Sequence, residues 1–216
     1  MTLVAISAAY GAAGRRIGSR LASELGVPFV DRAIPSASAA QLDVPTDEGV
    51  PEHRSWLERV LRGFVGAEVA VPGPVPAQSG GTAAEEFRRA SEELLREQAA
   101  LGEGVILGRA AVVVLRDDPR VLRVRLDGPP DRRIEQAVRS LGASPSEAAE
   151  AVRKLDRTHD AYLRHFYGAD IHDPALYHVV LDSTALAIDV CVEMLAAAAR
   201  AHVLGPAGAQ TPLERG

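Results

Sequence analysis

A chain of 216 residues that is 47% hydrophobic and 25% charged can bury a core of its own, which excludes disorder throughout. Its net charge of -5 argues against a nucleic-acid coat or a binder of anionic membranes, both of which carry a basic excess, and leaves small molecules or proteins as partners. A single cysteine, Cys191, excludes a disulfide framework, and with no leader sequence at the start and no run of about 18 apolar residues the expected location is the cytoplasm.

The first thirty residues read as strand, loop, helix and strand. LVAIS, from Leu3 to Ser7, is an apolar run ending in small residues, as a buried parallel strand does. Ile17, Leu21, Ala22 and Leu25 recur at helical spacing until Gly26 stops the helix, and VPFVD supplies a second strand. The rhythm then breaks. Between a polar, turn-rich stretch and a Pro/Gly connector, Trp56, Leu57, Val60, Leu61, Phe64 and Val65 mark one amphipathic helix within an insertion.

A helix follows with Phe87, Leu94 and Leu95 on its buried face and Glu85-Glu86 and Glu92-Glu93 on a solvated one. GVILGR is a third strand ending at Gly108-Arg109. The stretch from Val121 to Leu126 alternates apolar and Arg residues, which predicts a fourth strand near the sheet edge. PPDRRIEQAVRSLG opens a helix with Pro and Asp, residues suited to a first turn. SPSEAAEAVRKLDRTHDAYLRHFYG is one long helix, capped at Ser144 and acidic near its start at Glu147 and Glu150.

YHVVLDS gives a fifth strand, ALAIDVCVEMLAAAAR a final helix with Cys191 as a small core residue, and the last dozen residues a frayed tail. Strands and helices alternating in this order predict an α/β fold with a five-stranded parallel sheet covered on both faces. One domain spans residues 1–204, with an insertion at about 33–81, a lid at about 144–172 and a tail at 205–216.

The loop SAAYGAAGRR, Ser7 to Arg16, lies at the carboxyl end of the first strand, where α/β sheets hold ligands. A phosphate loop there normally reads G-x-x-x-x-G-K-[ST], with Lys neutralising charge and the hydroxyl holding Mg²⁺. This loop has no lysine; Lys154 is the only one in the chain, so a phosphate grip here must use guanidinium groups and backbone N–H groups. Gly11 can take a positive φ, and Ala12, Ala13 and Gly14 are small enough to let the backbone curl. Arg15 and Arg16 add charged donors to the positive end of the helix. An anion cradle and a plain strand-to-helix turn are both compatible with these residues. On the long helix, Arg153, Asp156, Arg157, Asp160 and Arg164 recur every three or four residues, so one face carries alternating charge. Ion pairs on a solvated face explain that pattern, and so does a phosphate clamp.

Taken in order, SAAYGAAGRRIGSRLASELGVPFVD, GVILGRAAVVVL, RVRLDGPPDRRIEQAV and the stretch from Ala151 to Leu195 resemble the bacterial cytidylate kinase-like family of P-loop nucleoside monophosphate kinases. The resemblance runs from about Leu3 to Ala199, outside the insertion. It implies a three-layer P-loop NTPase-type fold with a substrate-side insertion and a helical lid. It also implies ATP as donor, Mg²⁺ bridging its phosphates, and a nucleoside monophosphate, CMP, as acceptor. Donor-phosphate binding would fall to Gly11, Ala12, Ala13, Gly14 and Arg15, with Arg16 beside them. Acceptor binding would fall to Asp31, Arg32 and Arg109, joined by Arg164, and the transfer itself to Arg153, Arg157 and Asp156.

His159 stands where the family often has Arg, and a His there is expected to be neutral half the time near pH 7. Ala12 and Ala13 replace Ser-Gly, and an alanine at a position needing φ > 0 costs about 1 kcal/mol or more. His178 replaces an Asp. These departures favour the alternative, a weak or inactive nucleotide-binding or protein-interaction module on the same fold. His165, Asp170, His172 and Asp173 suit an exposed polar turn better than a metal site, so no protein-built metal site is expected. Trp56 and Phe64 either anchor a homodimer or pack the insertion.

Overall fold

The computed structural model describes residues 2–31, 83–108 and 110–204. The insertion helix around Trp56, the residues Arg32 and Arg109, and the tail at 205–216 lie outside the described residues. Five strands form one parallel sheet: β1 (Leu3–Ala8), β2 (Phe29–Asp31), β3 (Gly104–Leu107), β4 (Val121–Asp127) and β5 (Val179–Asp182), in the spatial order β2-β3-β1-β4-β5. β1 is central, with Ile6 level with Leu107 on one side and Val124 on the other.

Helices cover both faces, which is why β1 runs apolar from Leu3 to Ile6 instead of alternating. Val4 and Ile6 pack against Ile17 and Leu21 of α1 (Gly14–Leu25) and against Cys191 and Leu195 of α6 (Ile188–Leu204). Leu3 and Ala5 point the other way, into a cluster with three helical contributors. These are Leu95 of α2 (Ala83–Ala100), Val112 of the short α3 (Ala111–Val114), and Tyr162 and Leu163 of α5 (Pro145–Tyr167). A third, smaller cluster joins α4 (Pro130–Leu141) to α5 beneath the loop, and it is made of Tyr10, Ala137, Ala143, Ala148, Ala151 and Val152.

Helix ends follow local chemistry. Gly26 closes α1 in the left-handed region at φ 68°, and Ser144 starts α5 with a reciprocal capping box to Glu147. Among the described residues no helix is long and apolar enough to cross a membrane.

β4 lies between β1 and the edge strand β5, near the sheet edge as expected. Its Arg125 is only 5% exposed, bonded to Ser7 and Asp127, and Arg123 donates to the carbonyls of Leu176 at 2.8 Å and Arg116 at 2.7 Å. Two expectations need correction. On α2, Leu95 is buried but Leu94 is 43% exposed. Glu92, expected on the solvated face, is buried and accepts from both Arg88 and Arg96. In each case a residue's period gives its face, while the neighbouring element decides whether that face meets water.

Candidate functional site

The loop between β1 and α1 is held from beneath by its neighbours. The Ala9 N–H donates to the Leu126 carbonyl of β4 at 2.9 Å, Ala12 N–H to Ala9 at 3.1 Å, and Ser183 Oγ, just past β5, donates to the Ala12 carbonyl at 2.7 Å. Gly11 takes φ 82° and Ala13 takes φ 53°, so the left-handed turn anticipated for this loop does fall on an alanine. Ala13 is the N-cap of α1, and no side chain caps that helix start. Gly14 is buried so tightly that an added Cβ would overlap the Ala8 methyl. The fold therefore presents a helix start without a side-chain cap, and with it the positive end of the helix dipole, at the carboxyl end of the sheet.

Charge is arranged around this opening. Arg15 pairs with Asp31 at the end of β2, at 3.1 Å, which joins a residue expected on the donor side to one expected on the acceptor side. Burial pushes the Asp31 carboxyl above its usual range, against the opposing pull of Arg15. Arg16 is exposed and makes no ion pair among the described residues. Burial also pushes the Tyr10 phenol up to about 12.

Asp156 does not meet the alternating charges of its own helix. Both of its oxygens accept from Arg133 of α4, at 3.0 and 2.7 Å. Arg133 donates as well to the carbonyls of Gly128 at 2.9 Å and Tyr10 at 3.1 Å. Asp160 turns to His172, 3.4 Å away. The i,i+4 pairs that would have explained the pattern are absent: Arg153, Arg157 and Arg164 are exposed and make no ion pair among the described residues. Arg153 and Arg157 flank Asp156, whereas Arg164 stands in the last turn of α5, about 16 Å along the axis from Arg153. Arg164 is thus placed to complement the helix dipole and is not gathered with the other two.

His159 differs from its expectation of half-protonation. Burial, together with the like charges of Arg125 and His172, holds it down at about 4, so it is neutral near pH 7. The sign for stability follows. Between an unfolded value near 6.5 and the folded value of about 4, the unfolded chain binds a proton that the folded chain refuses. Stability should therefore fall as pH drops through that window, by up to about 1.4 kcal/mol per pH unit from this one group, and level off below it. Urea midpoints between pH 4 and 7 for wild type and His159→Gln check this: the variant should lose that component of the slope, and parallel profiles would refute it.

Sequence reading missed Arg133, Arg125, Ser183 and Asp127. Arg125 and Asp127 share a guanidinium–carboxylate contact of 2.8 Å at the carboxyl end of β4, and Asp127 also lies 3.6 Å from Arg133. The alternation in β4 marked a strand but not what its Arg125 and Asp127 touch. Ser183, at the end of LDS, carried no signal of its own.

A five-stranded parallel sheet in this order, with an amide loop after the central strand and helices on both faces, is the fold of the P-loop kinases. The cytidylate kinase-like family model matches residues 3–185, and the chain belongs to that family. A solved structure of an uncharacterized protein from Eubacterium ventriosum ATCC 27560 is similar over 93% of this chain and 99% of its own, with a TM-score of 0.63 at 15% identity. A gluconokinase from Sinorhizobium meliloti 1021 is similar over 94% of each chain, with a TM-score of 0.51 at 15% identity. At that identity the likeness is one of fold. No curated protein matches the sequence.

Proposed function

We propose that this protein is a nucleotide-dependent phosphotransferase that moves the terminal phosphate of ATP to a nucleoside monophosphate, with CMP as the first acceptor to test. Family membership supports nucleotide-binding phosphotransfer in general. The observation that carries the reading is the state of α5: Asp156 and Asp160 are engaged by Arg133 and His172, and Arg153 and Arg157 make no ion pair among the described residues. Unpaired like charges a turn apart repel, and a polyphosphate relieves that repulsion.

In this reading the helix start at Gly11 to Arg16 binds the donor phosphates, and Arg153 and Arg157 neutralise charge that develops on the transferring group. Asp31, Arg32 and Arg109 bind the acceptor. Among the described residues the protein does not itself build a metal site. The loop has no Ser or Thr at the start of α1, Asp31 and Asp127 each face a guanidinium, and no group of three or more metal-ligating side chains occurs among the described residues. Magnesium therefore belongs, in this reading, to the ATP phosphates and its own waters.

The test is ADP release from ATP and Mg²⁺ with a panel of monophosphates. Turnover confined to one or a few acceptors is expected, and Arg109→Ala should raise KM for the acceptor at least tenfold with KM for ATP unchanged. The alanine at φ 53° favours a second reading, a binding module without turnover. ATP binding with no ADP released by any acceptor would select that reading.

A further inference from the structure

We infer that Arg133 is a positioning residue: one guanidinium sets both the Tyr10–Gly11 peptide of the loop and the seating of α5, so that loop and helix arginines are held as one unit. Its consequence for ATP rests on the phosphate reading above; its structural content does not.

Arg133 lies in the first turn of α4 and is 5% exposed. Its donors reach Gly128, just before its own helix, and Tyr10 and Asp156, which lie 123 and 23 residues away. The same residue meets the loop through its backbone, since an added Cβ on Gly11 would overlap the Arg133 carbonyl oxygen. A planar fork can hold this geometry, whereas a lysine ammonium, a point charge on a flexible stem, cannot.

The surrounding packing explains why a polar clamp is needed. Most of the fully buried residues in the α4–α5 contact beneath the loop are alanines, Ala137, Ala143, Ala148 and Ala151, with Ile134, Val138 and Leu155 only partly buried at its margin. Alanine surfaces are shallow and interlock weakly, so they leave the register of the two helices poorly specified. The pair of a buried Arg133 with a partly exposed Asp156 adds little net stability, because desolvation offsets attraction, but its two-pronged contact ties the helices in one register. Asp156 lies three residues after Arg153 and one before Arg157, so fixing Asp156 fixes where both arginines stand.

The experiment uses the full chain. Amide hydrogen exchange at Ala12, whose N–H bonds Ala9 inside the loop, is followed by NMR without nucleotide, with Ile6 of β1 as control. ATP affinity is measured by titration calorimetry. Asp156→Asn and Arg133→Lys should each speed Ala12 exchange at least tenfold with Ile6 unchanged, and weaken ATP binding at least tenfold. The double variant Arg133→Met with Asp156→Leu leaves no buried charge unpaired and should return the melting temperature to near wild type. Its loop exchange should stay fast and its ATP affinity low. A double variant that regains loop protection and affinity along with stability would reduce the pair to a support for the fold and overturn the inference. So would an Arg133→Lys protein with a protected loop. If wild type fails to bind ATP, the phosphate reading falls, and the exchange data still decide the role of Arg133.

Discussion

Gly11→Ala should destabilise the protein by about 3 kcal/mol and abolish ATP binding. Two costs combine. At φ 82° an L side chain is strained, and the new methyl would lie 2.8 Å from the Arg133 carbonyl carbon and closer still to its oxygen, in a place where backbone faces backbone. Neither partner has a rotamer to change, so the Tyr10–Gly11 peptide must shift, taking the loop amides away from their present aim. Overpacking and φ strain are each worth about 1–3 kcal/mol. For a domain of this size the total predicts a fall in melting temperature of roughly 6–12 °C. Gly26→Ala serves as comparison, since it has positive φ at 68° but nothing within 4 Å of an added Cβ. It should cost only the strain and leave ATP affinity unaltered. Equal effects from the two substitutions would show that contact with Arg133 does not shape the loop.

Replacing Arg153 or Arg157 by alanine should give the opposite profile, with the fold intact and turnover lost. Both side chains are exposed and make no ion pair among the described residues, so their removal should alter stability by less than about 0.5 kcal/mol. A cation that neutralises charge on a transferring phosphoryl group is worth roughly 10²–10³ in kcat, and more in the strongest cases. Each single variant is therefore expected to lose about that factor in kcat. KM for the acceptor should stay nearly constant, because the gain is made in the transition state. Rapid-quench turnover beside thermal melts reads both quantities. Unchanged kcat in the double variant would mean that these arginines face only water. Arg164→Ala is the internal contrast: it stands in the last turn of the same helix and should barely change kcat.

The clamp and the arginines depend on each other. With Arg133 holding Asp156, the helix face loses its neutralising carboxylate without losing its cations. An exposed i,i+4 pair is worth only a few tenths of a kcal/mol, so little stability is given up by leaving Arg153 and Arg157 unpaired. Of the two loop arginines that stand in place of the absent lysine, Arg15 is drawn to Asp31 and Arg16 is exposed. In the proposed reading, Arg153 and Arg157 of α5 add positive charge from a separate helix, one whose Asp156 shares the Arg133 guanidinium with the loop carbonyl of Tyr10.

Much of this was open to sequence reading. The five strands, the order of elements, the Gly26 and Ser144 helix ends and the position of the loop all follow from local period and turn chemistry, which neighbouring residues set among themselves. The charged face of α5 was visible too, as a row of three- and four-residue spacings. What those charges touch was not. Arg125 reaches Ser7 across 118 residues, and Arg133 reaches Tyr10 across 123.

The sequence by itself therefore determined the α/β alternation, the lysine-free amide loop and the arginine-rich helix. Tertiary structure alone decided that Glu92 and Arg125 are buried, that His159 is neutral, and that Asp156 serves Arg133 and not its helix neighbours. The physical reason is that periodicity reports which way a side chain points. Burial, partner and protonation state depend on what another part of the chain places opposite it.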